Sequence, residues 1–442
     1  MLNHWNQDMK IPGCESEVPD AGADCLWGRL TRWHQNQAGN ADFWGALCGP
    51  PLALLLREAG YSIPQQVEIL QFHQNWVVPA LGPAPDSDSY KWQTILNPNG
   101  FPLEYAWNWN NSTGKPQIRT SWESIGPEAG TKLDPLNQSL FREYLDRLAK
   151  VIPNTDLSWS DSLLASLFDP DADAYTKDGG PDKLGSTSVV AGMEFTHPGA
   201  FRAKGYFVPR LPGQKPPLPL SHWTQALGAL SPNIKLTVLE DFLTTSSEGK
   251  QLRPYMVAID HHAGPSGSRL KWYMKTASTS FHSIREIMTL GGLISNIGSE
   301  LDSLCDLIRR LGNLPDDHPE ESETVIPTSD KKNFLGLPAT AHYFYYFDIA
   351  PYDELPYAKI YLPMQNYHKD DLDLAHTIID WMETQGRGSY GANYLRVLQG
   401  LAKGKLDCRG YHTFLSFAVK GDGKIDVTSY LAPSLDINAR GS

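Results

Sequence analysis

Short stretches in which apolar and polar residues alternate recur in pairs along the chain, and most pairs are joined by turn-forming residues. Alternation with a period of two is typical of a β-strand, and two such runs joined by a short turn predict a hairpin. The pattern predicts five strand pairs: 101–109 with 116–123, 190–196 with 202–209, 252–260 with 268–274, 340–348 with 357–362, and 411–419 with 424–431.

Between these pairs, apolar residues recur at helical spacing. The predicted helices are 41–60, 63–80, 134–150, 159–168, 219–230, 236–246, 279–290, 294–311, 370–384 and 390–402. Five hairpins separated by helices form a structural repeat, and antiparallel hairpins do not fit a doubly wound parallel sheet. We therefore predict an α+β fold, a closed ten-stranded antiparallel β-barrel ringed by α-helices, with a ligand in its lumen. Residues 1–40 are predicted to be a flexible lead-in, and 41–442 a single barrel domain.

If helices cover the barrel, the apolar face of each strand points outward and the polar face points into the lumen. In Arg269-Leu270-Lys271-Trp272-Tyr273, two cations and a phenol share the inward face. The same face recurs on other strands. The predicted lumen holds five cations, several tyrosines and one notable carboxylate: Arg119, Lys204, Arg269, Lys271 and Lys359; Tyr206, Tyr273, Tyr361 and Tyr430; and Glu104.

These side chains suit one chemistry when they share a lumen. Cations bind a diphosphate through charge-assisted hydrogen bonds, and aromatic rings stabilise a carbocation and exclude water. Glu104 can accept a proton or a hydrogen bond from an aromatic N–H. A single Lys-x-Tyr pair is more typical of a solvated sheet face, and a lone Glu104 of a surface carboxylate. The recurrence favours transfer of an allylic group from a diphosphate to an electron-rich arene.

Composition removes several other classes of function. The net charge of −12 argues against nucleic acid and anionic membrane partners. The five cysteines are scattered without a C-x-x-C pair, which argues against a disulfide framework or a zinc site. No apolar run reaches the ~18–20 residues of a membrane span, and the polar N-terminus lacks the apolar core of a signal peptide. We expect a cytoplasmic protein.

Three acidic or histidine motifs are poor metal sites. Asp316-Asp317-His318-Pro319-Glu320 matches D-D-x-x-E, but its prolines interrupt any helical carboxylate face. The Asp169–Asp173 stretch lacks the glycine of an EF-hand loop. His261-His262 has no third ligand nearby and is expected to be structural. A metal-independent site, in which Lys and Arg replace magnesium, is the more economical prediction.

Several motifs, in order and spacing, carry a resemblance to a known family. They are Leu-Gly-Pro-x-Pro at 81–85, Pro102-Leu103-Glu104-Tyr105, Lys204-Gly205-Tyr206, Arg269-x-Lys271-x-Tyr273, Thr289-Leu290-Gly291-Gly292, Pro356-x-x-Lys359-x-Tyr361-x-Pro363 and the last strand ending at Tyr430. Over about 45 to 435 the chain resembles the fungal dimethylallyltryptophan synthase family of aromatic (indole) prenyltransferases.

The resemblance implies a barrel of five αββα units and prenyl transfer from dimethylallyl diphosphate without an obligatory metal or other cofactor. Glu104 looks like the carboxylate that holds the indole N–H. Arg119, which fits the strand pattern better than Lys115, resembles a diphosphate ligand, as do Lys204, Arg269, Lys271 and Lys359. Tyr206, Tyr273, Tyr361 and Tyr430 resemble the shield around the allylic cation.

Two departures bear on the acceptor. Val190 aligns where tryptophan C4-prenylating members have a lysine, which favours a bulkier indole. Asp426 replaces a tyrosine of many members. The expected acceptor is a tryptophan-containing cyclic dipeptide or another indole alkaloid. The alternatives are a phenolic or polyketide arene, a diphosphate hydrolase or terpenoid cyclase with the same lumen, and a non-enzymatic carrier. A monomer or homodimer is expected.

Overall fold

The computed structural model describes residues 26–31, 39–85, 94–97, 101–109, 114–177, 187–213, 217–262, 268–325, 342–367, 369–402, 406–407, 409–420 and 423–433. Ten strands lie within these ranges: β1 Leu103–Asn108, β2 Gln117–Trp122, β3 Val189–Phe195, β4 Phe201–Phe207, β5 Arg253–Asp260, β6 Leu270–Thr276, β7 Tyr343–Ile349, β8 Tyr357–Pro363, β9 His412–Val419 and β10 Ile425–Leu431.

The strands form a closed barrel in which each strand pairs with its neighbours along the chain and β1 pairs with β10. Every pairing is antiparallel. Closure leaves no strand edge exposed, and the predicted ten-stranded barrel is confirmed. All five predicted hairpins are present, with ends that differ from prediction by a few residues.

Twelve α-helices lie in the described ranges: α1 Leu26–Thr31, α2 Asn40–Glu58, α3 Ile63–Phe72, α4 Ser139–Val151, α5 Ser158–Ser166, α6 Ala172–Lys177, α7 Leu220–Gly228, α8 Thr237–Thr245, α9 Phe281–Met288, α10 Gly298–Gly312, α11 Asp371–Thr384 and α12 Gly391–Leu401. Aromatic side chains from the strands meet aromatic side chains from the helices. Trp272 of β6 lies 6.0 Å from Trp223 of α7, measured between ring centroids. Trp122 of β2 lies 5.3 Å from Tyr144 of α4. The apolar strand faces therefore point outward, as predicted.

Some local predictions were wrong. The segment 63–80, predicted as one α-helix, is α-helical only as far as Phe72. It continues as a π-helical turn, His73–Val77, and a 3₁₀ turn, Val78–Ala80. The predicted helix 134–150 begins only at Ser139, because Asp134 accepts hydrogen bonds from the Gln138 and Ser139 amides before it. Of the predicted flexible lead-in, 1–40, most residues lie outside the described ranges. Its described residues include α1, whose Trp27 is buried. No helix among the described residues is long and apolar enough to cross a membrane.

Candidate active site in the barrel lumen

Strand register places the polar side chains on the inner wall. Cross-strand partners share a face, and Arg119 of β2 pairs with Glu194 of β3, while Lys204 of β4 pairs with Asp260 of β5. Further round, Tyr273 of β6 pairs with Tyr346 of β7. Apolar residues alternate with these positions and pack against the surrounding helices. The polar side chains between them therefore face the lumen.

One end of the lumen carries a chain of alternating charges across β2 to β6. The Lys204 amine donates to the Glu194 carboxylate at 2.7 Å, and the Arg119 Nε lies 3.4 Å from the same oxygen. Lys204 also lies 3.8 Å from Asp260, which accepts from Lys271 at 2.7 Å. Each cation is thus held by a carboxylate of a neighbouring strand.

The remaining cations have acidic partners of their own. Arg269 lies one residue before β6, and its Nε donates to Asp348 at 2.9 Å. Lys359 lies 3.2 Å from Asp426, whose other carboxylate oxygen pairs with Lys420 at 3.0 Å. Arg269 with Asp348, and Lys359 with Asp426, line a wider cleft together with Arg119 and Lys204.

The pKa directions show that these pairs are charged. Burial alone would raise the pKa of Glu194, but Arg119 and Lys204 bring it well below its usual range. Burial likewise acts against Asp260, whose pKa is nevertheless lowered by Lys271 and Lys204. Burial lowers the pKa of Lys359 to about 8, although Asp426 favours its charged form. Lys359 is therefore mostly charged at neutral pH.

Tyrosines line a cavity in the middle of the lumen. The Tyr273 ring lies 6.4 Å from Tyr206, 5.1 Å from Tyr346 and 5.9 Å from Tyr361, measured between centroids. Tyr430 lies 5.6 Å from Tyr361, and the two phenol oxygens are 3.4 Å apart. Burial raises the pKa of all five phenols, so they stay neutral. Their π-faces stabilise a nearby cation.

Glu104 lies further along β1, away from the cations. On that strand Ala106 pairs with Arg119, whereas Glu104 pairs with Ser121, one inward position beyond. The Glu104 carboxylate accepts a hydrogen bond of 2.6 Å from Thr413. Burial raises the pKa of Glu104 to about 8, and the Thr413 hydrogen bond opposes this rise. The carboxylate is therefore a stronger base than an ordinary glutamate.

A family model described as tryptophan dimethylallyltransferase (Trp_DMAT) matches residues 40–397. The chain belongs to this family. It is an aromatic prenyltransferase. The recognition made from the sequence motifs is confirmed.

Two curated relatives cover nearly the whole prenyltransferase chain. Prenyltransferase anuH of Penicillium roqueforti is 40% identical over 417 residues, 92% of each chain. Xanthone prenyltransferase A of Emericella nidulans is 40% identical over 412 residues, 88% of this chain and 91% of that one.

Solved structures share the barrel. The crystal structure of NotF with brevianamide F and DMSPP has a TM-score of 0.75 at 20% identity, covering 92% of this chain and 98% of that one. AnaPT from Neosartorya fischeri has a TM-score of 0.73 at 22% identity, covering 92% of this chain and 97% of that one. At this level of identity the two structures bear on the fold alone, and they agree with the ten-stranded barrel.

The structure brings the ten predicted site residues to one lumen or its opening. Eight line the tyrosine cavity: Arg119, Lys204, Tyr206, Lys271, Tyr273, Lys359, Tyr361 and Tyr430. Arg269 lies in the wider cleft. Glu104 lies one inward position beyond Ala106, which lines the tyrosine cavity. Lys115 instead donates to the Gly60 carbonyl, which supports the choice of Arg119 as the inward cation.

Alternation places Asp426 on the inward face of its strand with Thr428 and Tyr430, and the structure agrees. The expectation of one notable lumenal carboxylate was wrong, because Glu194, Asp260 and Asp348 also point inward. Asp260 and Asp348 lie near strand ends, where alternation is least visible in the sequence. Tyr346 was missed because β7, YFYYFDI, is aromatic on both faces. Its lumenal side shows only in the register with Tyr273.

The suspected metal motifs lie away from the lumen. Glu320 pairs with Arg285 of α9, and Asp169 and Asp171 accept backbone hydrogen bonds at the start of α6. His261 is buried and hydrogen-bonded to Ser160. Within the described ranges, no three His, Cys, Asp or Glu side chains group as metal ligands. The metal-independent reaction, the cytoplasmic location and the monomer or homodimer stay predictions.

Proposed function

We propose that this prenyltransferase transfers a dimethylallyl group from dimethylallyl diphosphate to a carbon atom of a hydroxylated polycyclic arene. The observation that carries the proposal is the order of side chains along one lumen. Cations line one end of a tyrosine-lined cavity, and the buried Glu104 carboxylate lies one inward position beyond Ala106 of that cavity. This order matches a leaving group, an allylic cation and an acceptor in line.

The charged end would hold the diphosphate as it leaves. In the reaction, the bond between the allylic carbon and the diphosphate oxygen breaks, and its electron pair leaves with pyrophosphate. Arg119, Lys204 and Lys271 line the inner cavity and supply N–H donors to the growing negative charge. Lys359, which lies beside the Tyr361 ring, and Arg269 at the opening add two further cations.

The tyrosine cavity would hold the dimethylallyl cation until the arene attacks. Tyr206, Tyr273, Tyr361 and Tyr430 surround it with neutral rings, each worth ~0.5–2 kcal/mol to a nearby cation. Tyr346 completes this wall. The rings also exclude water, which would convert the cation to an alcohol.

Glu104 would activate the acceptor. With a pKa of about 8 it can accept the hydroxyl proton of a phenol, which increases the electron density of the ring. The new carbon–carbon bond then forms at the ring. Aromaticity returns when the ring proton passes to solvent and Glu104 returns its proton to the phenol oxygen. An indole N–H can bind the same carboxylate, so Glu104 alone does not choose between the two acceptors.

Sequence similarity favours the phenolic acceptor. Xanthone prenyltransferase A is 40% identical to this chain and covers 88% of it, and xanthone prenyltransferase B is 37% identical over 92%. An indole, such as a tryptophan-containing cyclic dipeptide, is the second candidate, because the matching family model is described as a tryptophan dimethylallyltransferase.

The same proposal includes a reaction without an obligatory metal. Five lumenal cations can compensate the charge that magnesium compensates in other diphosphate enzymes. Arg119, Lys204 and Lys271 are fixed by neighbouring carboxylates before substrate arrives, so their donors are preorganised.

A product assay tests both parts of the proposal. Purified protein is incubated with dimethylallyl diphosphate and equal concentrations of a hydroxyxanthone, a simple phenol, tryptophan and a tryptophan-containing cyclic dipeptide. We expect mass spectrometry to show a prenylated hydroxyxanthone as the main product, with undiminished yield in EDTA. Prenylation of the indoles alone would support the second candidate. Complete inactivity in EDTA, restored by magnesium, would overturn the metal-free reaction.

A further inference from the structure

A buried hydroxyl group contacts the Glu104 carboxylate. Thr413 Oγ1 lies 2.6 Å from Glu104 Oε1, and each residue is only 8% exposed. The hydroxyl donates and the carboxylate accepts. Because hydrogen bonds to an ionised group are short and strong, this contact acts on both the orientation and the charge state of the carboxylate.

A β-bulge places Thr413 in the lumen. Tyr430 of β10 pairs with Phe414 of β9, but the next residue, Leu431, pairs with His412, so Thr413 is the extra residue of β9. Strict alternation would turn Thr413 outward, since Phe414 faces inward beside Tyr361. Bulges let two consecutive side chains face one side and often re-aim a side chain at a functional site.

The bulge is clamped from outside the barrel. Asp371, at the start of α11, accepts hydrogen bonds from the backbone amides of Tyr411 and His412 at 3.1 and 2.8 Å. Its Oδ1 also lies 2.6 Å from His412 Nδ1, and the other ring nitrogen lies 2.9 Å from the Tyr394 hydroxyl. His412 is thus held outward while its neighbour Thr413 points inward.

We propose that Thr413 is a positioning residue that aims the Glu104 carboxylate at the acceptor and favours its ionised form. The inference rests on the proposed role of Glu104 in activating the acceptor. Thr413 does not need to touch the reacting atoms. The bulge and its clamp lie at the point of β9 where the Thr413 hydroxyl reaches Glu104.

Among the described residues, few charged or titratable groups act on the ionisation of Glu104 besides the Thr413 hydrogen bond. Tyr430 of β10 is the titratable group that interacts with Glu104 from a neighbouring strand, and Ser121 of β2, which is not titratable, lies opposite. Arg119 is one inward position further along. Burial raises the pKa of Glu104, and the Thr413 hydrogen bond lowers it. Loss of the hydroxyl therefore moves the ionisation of Glu104 to higher pH.

The test compares Thr413→Val with Thr413→Ser. Valine keeps the branched shape and removes the donor, whereas serine keeps the donor. The kcat/KM for the acceptor is measured against pH, with dimethylallyl diphosphate saturating. We expect the acidic limb of the valine variant to move up by about one pH unit, with about tenfold lower kcat/KM at neutral pH. The serine variant should recover most of this loss. Thr244→Val, on the exposed face of α8, is the matched control.

Glu104→Gln and the double variant with Thr413→Val separate the possible failures. If the inference holds, Glu104→Gln loses the acidic limb, and adding Thr413→Val costs little more. Full activity in Glu104→Gln would overturn the proposed role of Glu104, and this inference with it. If Glu104→Gln loses activity but the acidic limb of the pH profile does not move in Thr413→Val, the role of Thr413 is overturned while the role of Glu104 stands. An unchanged KM for dimethylallyl diphosphate shows that the valine variant keeps its barrel.

Discussion

The Glu104 carboxyl group lies one inward position beyond the layer of Arg119, and the Thr413 hydroxyl donates a hydrogen bond to it. Its strand position was readable from the alternation of LEYAWN, which puts Glu104 on the polar face. Its basicity was not readable, because the pKa depends on burial by strands distant in the chain. Function at this residue is thus a product of sequence position and tertiary burial.

Glu104→Gln is expected to remove a pH-dependent destabilisation. Burial raises the pKa of Glu104 from 4.5 to about 8. Between these values the folded state binds more protons than the unfolded state, so the free energy of unfolding falls as pH rises, by about 1 kcal/mol per pH unit. The glutamine variant lacks this decrease. Relative to the parent, it should therefore gain stability from about pH 5 to pH 8.

Urea unfolding followed by tryptophan fluorescence at several pH values measures this difference. Glu68→Gln, at an exposed position of α3, is the control and should show no such trend. A Glu104→Gln variant whose stability runs parallel to that of the parent at all pH values would contradict the expectation.

At the scale of strands, the alternation of apolar and polar residues predicted most of the side chains that face the lumen. On β4, β6 and β8 the lumenal Lys and Tyr alternate with outward apolar or small residues, and this contrast is visible in the sequence. On β7 both faces are aromatic, so the inner position of Tyr346 was hidden. Pairing of a cation with a carboxylate on the next strand depends on register, which alternation within one strand does not specify.

Glu194→Gln is expected to destabilise the protein strongly. Glu194 accepts hydrogen bonds from Lys204 and Gln117 and lies 3.4 Å from Arg119. Neutralising it leaves buried cations poorly compensated, which costs about 3–5 kcal/mol. Asp306→Asn, which breaks the exposed pair with Arg310 on α10, should cost at most about 0.5 kcal/mol. Chemical denaturation at neutral pH measures the free energy of unfolding of both variants. Equally small decreases in the two variants would refute the expectation.

At the scale of the molecule, the lumen exists only because ten strands close on one another. Asn108 of β1 donates to Asp426 and Thr428 of β10 at 3.0 and 2.8 Å, across the seam that joins the two ends of the barrel. The cations come from β2, β4, β6, β8 and the residue before β6. A ligand bound by them therefore binds only the closed barrel and stabilises it.

Pyrophosphate is expected to raise the melting temperature of the whole chain. A ligand at one hundred times its Kd stabilises the folded state by about 2.7 kcal/mol. Lys204→Met should lose most of this stabilisation, because Lys204 lines both lumenal cavities. Lys235→Met, which removes an exposed partner of Glu354, is the control and should keep it. Differential scanning calorimetry with increasing pyrophosphate gives the shift. A Lys204→Met shift as large as that of the parent would place the anion elsewhere.

The sequence by itself determined the five hairpins, the antiparallel barrel and the residues that carry cations and phenols on inward faces. These follow from local alternation, because a strand with one apolar face must turn it to the helical coat. Only the tertiary structure decided the carboxylate partner of each cation, the place of Tyr346 and the bulge that aims Thr413 at Glu104. Register and burial join residues that are remote along the chain, and no local pattern encodes that contact.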